Sequence, residues 1–166
     1  MARSPAILGP LVLVAACAGC GYSTAPLHPE NVKTVMVPIF ASKEFRRELE
    51  FDLTRDVVQT IEARTPYKVV HDRGRADTEL RGEVVELRAP VISEDIDTDR
   101  PVDVEVVLVC WFEWRDLRSG EVLARRERLS ASGAYAPAVG EGLDSATREA
   151  SQRLAERIVE AMEKDW

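Results

Sequence analysis

The stretch from Val102 to Trp114 constrains the fold more than any other part of the chain. Val102, Val104, Val106, Leu108, Cys110, Phe112 and Trp114 recur at every second position. A period of two sets all seven on one face of a long β-strand, because successive side chains point to opposite sides of the pleat. The other face begins polar at Asp103 and Glu105, then turns apolar at Val107, Val109 and Trp111. A sheet with helices on one side only should present a polar second face to water. This strand therefore predicts a sheet whose outer surface is partly apolar.

Two amphipathic segments supply helices to cover the inner face. Ser42 to Arg64 carries Phe45, Leu49, Leu53, Val57 and Ile61 at four-residue spacing, with Val58 widening the stripe. Thr65-Pro66 ends it, since proline disfavours helix at the preceding residue. Gly142 to Lys164 repeats the pattern with Leu143, Ala146, Ala150, Leu154, Ile158 and Met162. The remaining segments read as strands. Val35 to Phe40 is a short apolar run, and Pro38, having no N–H for a ladder, marks an end or an edge. Tyr67 to His71 is a brief strand. Thr78 to Arg88 changes phase near Val84-Val85, which predicts a β-bulge. Ser119-Gly120 turns the chain into a last strand, Val122 to Tyr135. The order β-α-β-β-β-α predicts an α+β two-layer sandwich: a mostly antiparallel four-stranded sheet with two helices on one face.

The start of the chain has a different character. Arg3 precedes an apolar run over residues 5–16, broken only by proline and glycine, and small residues with Cys17 and Cys20 close it. That is the anatomy of a secretory signal, too short to span a bilayer. A cysteine at the cleavage point makes it a bacterial lipoprotein signal, in which the new N-terminal cysteine receives acyl chains. Val14-Ala15-Ala16-Cys17 fits on local chemistry, with an aliphatic residue three places before the cysteine. Ala18-Gly19-Cys20 is the other candidate. The chain divides into a signal over residues 1–20, an extended proline-containing tether over 21–32 and a single domain over 33–166. Cys110 is the remaining cysteine, so no internal disulfide supports the domain; it reads as a buried, inert thiol.

Charge and motifs narrow the function. The formal net charge is −7, and −8 once Arg3 leaves with the signal, which argues against nucleic acid as a partner. Membrane attachment must come from the acyl chains, of which two or more anchor stably. His28 and His71 have no metal partner at i+3 or i+4. No Gly-rich phosphate loop, nucleophile elbow or Cys–His pair is present, so neither a cofactor nor an enzymatic activity is expected. Asp95, Asp97 and Asp99 have the spacing of a calcium loop, but Arg100 stands where the turn needs glycine and Val106 where a bidentate Glu belongs. The segment reads as a solvated acidic hairpin loop. Two surface features remain. Arg125, Arg126 and Arg128 suit an anionic group such as a lipid phosphate, or a solvated strand face paired with acids. Val107, Val109 and Trp111 suit a docking surface, or a patch covered by a loop or the tether.

Several segments together carry a family resemblance: Cys20-Gly21-Tyr22, then Val35-Met36-Val37-Pro38-Ile39-Phe40, a helix with Leu49, Glu50, Leu53 and Thr54, and Ala76-Asp77 followed by Leu80-Arg81-Gly82-Glu83-Val84. From Cys20 to the last helix the chain resembles LptE, the lipopolysaccharide-assembly lipoproteins. The resemblance favours Cys20 as the lipidated residue; Cys17 and the acidic loop depart from the family's pattern. It implies an outer-membrane lipoprotein on the periplasmic side. That lipoprotein would be a non-catalytic plug and partner of an LptD-like β-barrel that delivers lipopolysaccharide. Val107, Val109 and Trp111 would then meet barrel wall or lipid, and Arg125, Arg126 and Arg128 lipopolysaccharide phosphates. A competing class is the small α+β periplasmic lipoproteins that serve as accessories or activators of cell-wall synthases or transporters, some of which share the same strand–helix start.

Overall fold

The computed structural model describes residue 29, residues 31–43 and residues 48–163. Cys17, Cys20, nearly all of the expected tether and Phe45 lie outside these residues. The elements in chain order are β1 (Thr34–Met36), β2 (Ala41–Ser42), α1 (Leu49–Arg64), β3 (Lys68–Val70), β4 (Thr78–Arg88), β5 (Val91–Glu94), β6 (Pro101–Asp116), β7 (Val122–Tyr135) and α2 (Leu143–Glu160).

The α+β class holds, but the sheet is seven-stranded and mixed rather than four-stranded and mostly antiparallel. The reason is connectivity. The chain leaves β1 and β2, runs through α1 and returns as β3, and such a crossover produces parallel pairing. β1 accordingly lies parallel between β3 and β4. Pro38 does not merely end the first strand. It divides the apolar run, so that β1 stops at Met36 and a separate β2 pairs parallel with β4 at Ala41 and Ser42. Ser42 thus belongs to a strand, and α1 starts at Leu49 after Glu48 in the left-handed region at φ 76°. The Phe40 N–H donates to Thr54 Oγ1 at 2.9 Å, tying the backbone just before β2 to α1. β5, a short strand that the sequence pattern does not reveal, pairs with the start of β6.

The antiparallel half follows the alternation. β6 pairs with β4 on one side and with β7 on the other. The expected bulge falls between Val84 and Glu86. The inner face of β6 is buried at Val104, Val106, Leu108, Cys110, Phe112 and Trp114. Leu53, Val57 and Ile61 of α1 and Ala150, Leu154, Ala155 and Ile158 of α2 join it in one core. Burial pushes the Cys110 thiol up to about 12, so it stays protonated and unreactive. Between the helices, Ser151 Oγ donates to Asp56 Oδ2 at 2.7 Å, giving a buried carboxylate a partner.

β7 is an edge strand, paired with β6 alone, and α2 runs beside it. At Gly133 the fit is so close that a Cβ would stand 2.3 Å from the Ala146 carbonyl oxygen of α2. Three α2 side chains reach the strand's outward backbone groups. Glu149 Oε2 accepts from the Ala134 N–H at 3.2 Å, Arg153 donates to Ser132 O at 2.7 Å, and Arg157 donates to Ser130 O. Four residues of helix advance about 6 Å and two residues of strand about 6.7 Å, so one helical stripe stays in step with alternate strand positions.

Candidate interaction face of the sheet

The face of the sheet turned away from the helices carries the candidate site. Register, which no pattern in the sequence displays, decides what meets there. Glu113 stands opposite Arg81 on β4 and opposite Arg125 on β7. Arg81 approaches Glu113 Oε1 at 3.0 Å, Arg115 grips the same oxygen through Nε at 3.0 Å and Nη2 at 2.8 Å, and Arg125 lies 3.7 Å from Oε2. Glu113 is buried among these more exposed arginines. The Arg115 hydrogen bonds outweigh its burial and, with the Arg115 and Arg81 charges, hold its carboxyl below the ordinary glutamate range. Three guanidinium groups on one carboxylate leave the row positive, with Glu127 2.6 Å from Arg125 as a further counter-charge.

The next row is amphipathic. Trp111 stands opposite Glu83, and its indole N–H donates to Glu83 Oε2 at 2.8 Å. Lys43 Nζ lies 3.9 Å from the same oxygen. Beyond it, Glu86 receives Arg128 at 3.0 Å and Arg88 at 2.9 Å. Glu86 is the register partner of Val109, so the bridge from β7 to β4 crosses β6 beside that valine. Val109 is buried, whereas Val107 and Trp111 are half-buried.

The three arginines of β7 do not converge. The register of β6 and β7 shifts between Cys110 and Phe112. Arg125 and Arg128 therefore both engage outer-face carboxylates, while Arg126 pairs with Phe112 of the inner face. Arg126 lines a cleft of about 400 Å³ with Trp114, Leu123, Ala161 and Met162 at the end of α2, and its Nη1 donates to Arg125 O at 3.0 Å. Sequence reasoning did not single out Glu113 and Arg115, and took Arg81 only as part of the Leu80–Val84 family motif. Their alternation with apolar neighbours in β4 and β6 marks them as outward-facing, but only strand pairing brings them together. Among the described residues no group of three or more His, Cys, Asp or Glu is placed to hold a metal ion, and no helix is long and apolar enough to cross a membrane.

No curated protein matches the chain. Several solved structures share its fold. A hypothetical protein from Chlamydia trachomatis is 14% identical, with 77% of this chain and 94% of that one covered at a TM-score of 0.55. A PelC dodecamer subunit from Paraburkholderia phytofirmans is 16% identical, covering 85% and 94% at 0.52. An uncharacterized lipoprotein B from Nitrosomonas europaea is 14% identical, covering 80% and 82% at 0.50. At such identities the likeness is one of fold alone. The sequence match is more specific: the lipopolysaccharide-assembly family model LptE aligns with residues 32–162. That span runs from Val32, buried where the chain enters the domain, to Met162, buried at the end of α2, and the chain therefore belongs to the LptE family of lipopolysaccharide-assembly proteins.

Proposed function

We propose that this protein is a non-catalytic, lipid-anchored subunit of an outer-membrane machine that places lipopolysaccharide, acting on the periplasmic side as the partner and plug of an LptD-like β-barrel. The family match over residues 32–162 carries the reading. The lipoprotein signal, with Cys20 as the acylated residue in preference to Cys17, supplies the anchor. The outer sheet face supplies the contact surface. Arg125 and Arg128 engage Glu113 and Glu86 on the same face as half-buried Val107 and Trp111, a mixture that suits an acylated, phosphorylated ligand or the interior wall of a barrel. Arg126 serves a different edge of the molecule.

The decisive experiment is crosslinked affinity isolation of the tagged, acylated protein from its own envelopes, with partners identified by mass. Recovery of a large outer-membrane β-barrel is expected. Recovery of a cell-wall synthase or a transporter in its place overturns the assignment. Substitution of Trp111 by alanine should reduce barrel recovery several-fold while leaving the amount of folded protein unchanged.

A further inference from the structure

The indole N–H of Trp114 is the odd polar group of this core. Trp114 is 1% exposed, and among the described residues its N–H has no acceptor. A buried donor without a partner carries the penalty of its desolvation, so nearly all such groups in folded proteins are paired. Trp111, on the other face of the same strand, shows the contrast: its N–H is taken by Glu83. Register gives the reason. Trp114 stands between Leu80 of β4 and Ala124 of β7, and neither side chain can accept a hydrogen bond. Tyr67 packs against the indole at a centroid distance of 5.7 Å and holds it in place.

This side chain forms part of a cavity wall. It lines the cleft of about 400 Å³ between the start of β7 and the end of α2, a volume in the range of small-ligand sites. Leu123, Ala161 and Met162 make the cleft largely apolar. Met162 is buried, and its unbranched side chain can rearrange around a guest where a branched one could not. The charges disfavour an anion. Glu121 and Glu163 line the cleft against Arg126 as the one cation, and α2 ends here, which brings the negative end of its dipole to Ala161 and Met162. A free carboxylate or phosphate would meet like charges. An apolar chain with an uncharged oxygen would meet apolar walls and a donor in need of an acceptor.

From these we infer that the cleft between β7 and α2 is an acyl-chain site. Met162 yields, the chain lies along Leu123 and Ala161, and the Trp114 N–H donates to the ester or amide carbonyl of the guest. The site is separate from the outer sheet face and does not rest on the proposed β-barrel partnership.

The test uses the acylated full chain, isotope-labelled at its tryptophan and methionine side chains, in nanodiscs of dialkyl ether phospholipid, so that the bilayer itself brings no acyl carbonyl. The Trp114 indole signal, assigned by its loss in Trp114→Phe, is followed by NMR as methyl octanoate, octanoate or nonane is added. A saturable downfield proton shift is expected with methyl octanoate, with an affinity about tenfold above those of octanoate and nonane, the worth of one hydrogen bond made by a donor that lacked one. In Trp114→Phe, followed at the Met162 methyl group, the ester should bind no better than nonane, and the melting temperature should hold or rise because an unsatisfied donor has left the core. Ala161→Leu narrows the cleft and should weaken ester and nonane alike by several-fold. Diacyl phosphatidylethanolamine and lipopolysaccharide, each added in place of the ester, identify the source of the chain by which of them reproduces the Trp114 shift. An unmoved indole signal, equal affinity for ester and nonane, tighter binding of octanoate, or no response to either lipid overturns the inference. Envelopes that yield no β-barrel while the Trp114 shifts persist overturn the proposed function and leave this site standing.

Discussion

Glu113 concentrates the electrostatics of the outer face in one side chain. Replacing it with glutamine takes the shared carboxylate from Arg81 and Arg115 and leaves Arg125 with Glu127 alone, and should cost about 1–3 kcal/mol at neutral pH. The sign of the pH dependence follows from its lowered folded-state value. A carboxyl held below its unfolded value of about 4.3 adds stability above that pH and loses the contribution as the pH falls through the folded value. The stability gap between wild type and Glu113→Gln should therefore narrow steadily from pH 5 to pH 2.5 in urea titrations. Gly133 makes a steric prediction: Gly133→Ala drives a methyl group into the Ala146 carbonyl, where α2 backbone must yield, at about 2 kcal/mol. Neither residue stood out in the sequence. Glu113 is one of twenty-nine acids until register picks its neighbours, and Gly133 looks like a strand defect until the helix is seen lying on it.

Among the elements, β6 and α2 were legible because their periods are long and uninterrupted. Six of the seven inner-face residues read from the β6 alternation are buried, and Ala150, Leu154, Ile158 and Met162 of the stripe read for the second helix line the core, while Leu143 at its start is only half-buried. The phase change in β4 also became a bulge at the expected place. The misreadings lie where elements are too short to show a period, at β1, β2 and β5, and where parallel pairing depends on a distant crossover. The β7 edge supplies a test at this scale. Each clasping side chain is exposed and worth little to global stability, within about 1 kcal/mol. Arg153→Ala with Arg157→Ala should therefore shift the urea midpoint slightly, yet raise amide exchange across residues 130–134 by tenfold or more, since local opening no longer has to break those contacts. A large loss of global stability with unchanged exchange there would contradict this account.

For the whole molecule, the α+β class and the family were within reach of the sequence, and the make-up of the candidate face was not. The apolar residues on the second face of β6 were visible, but what lies across them was hidden: the Arg128–Glu86 bridge depends on the register of strands that flank β6. The two ends of β6 also differ in kind, with Lys33 and Thr34 held by Asp77 near one end and the acidic hairpin at the other. Cys20→Ser should release the protein from the membrane fraction while Cys17→Ser leaves it bound, and the mass of the acylated N-terminal peptide checks the assignment. The clasp on β7 acquires its meaning at this scale. A strand edge fourteen residues long, left open, would be a template for pairing with another chain. With α2 side chains occupying the outward backbone groups of that edge over residues 130–134, and the edges at β2, β3 and β5 only two to four residues long, the folded protein offers a neighbouring strand little backbone to pair with and can remain a separate chain.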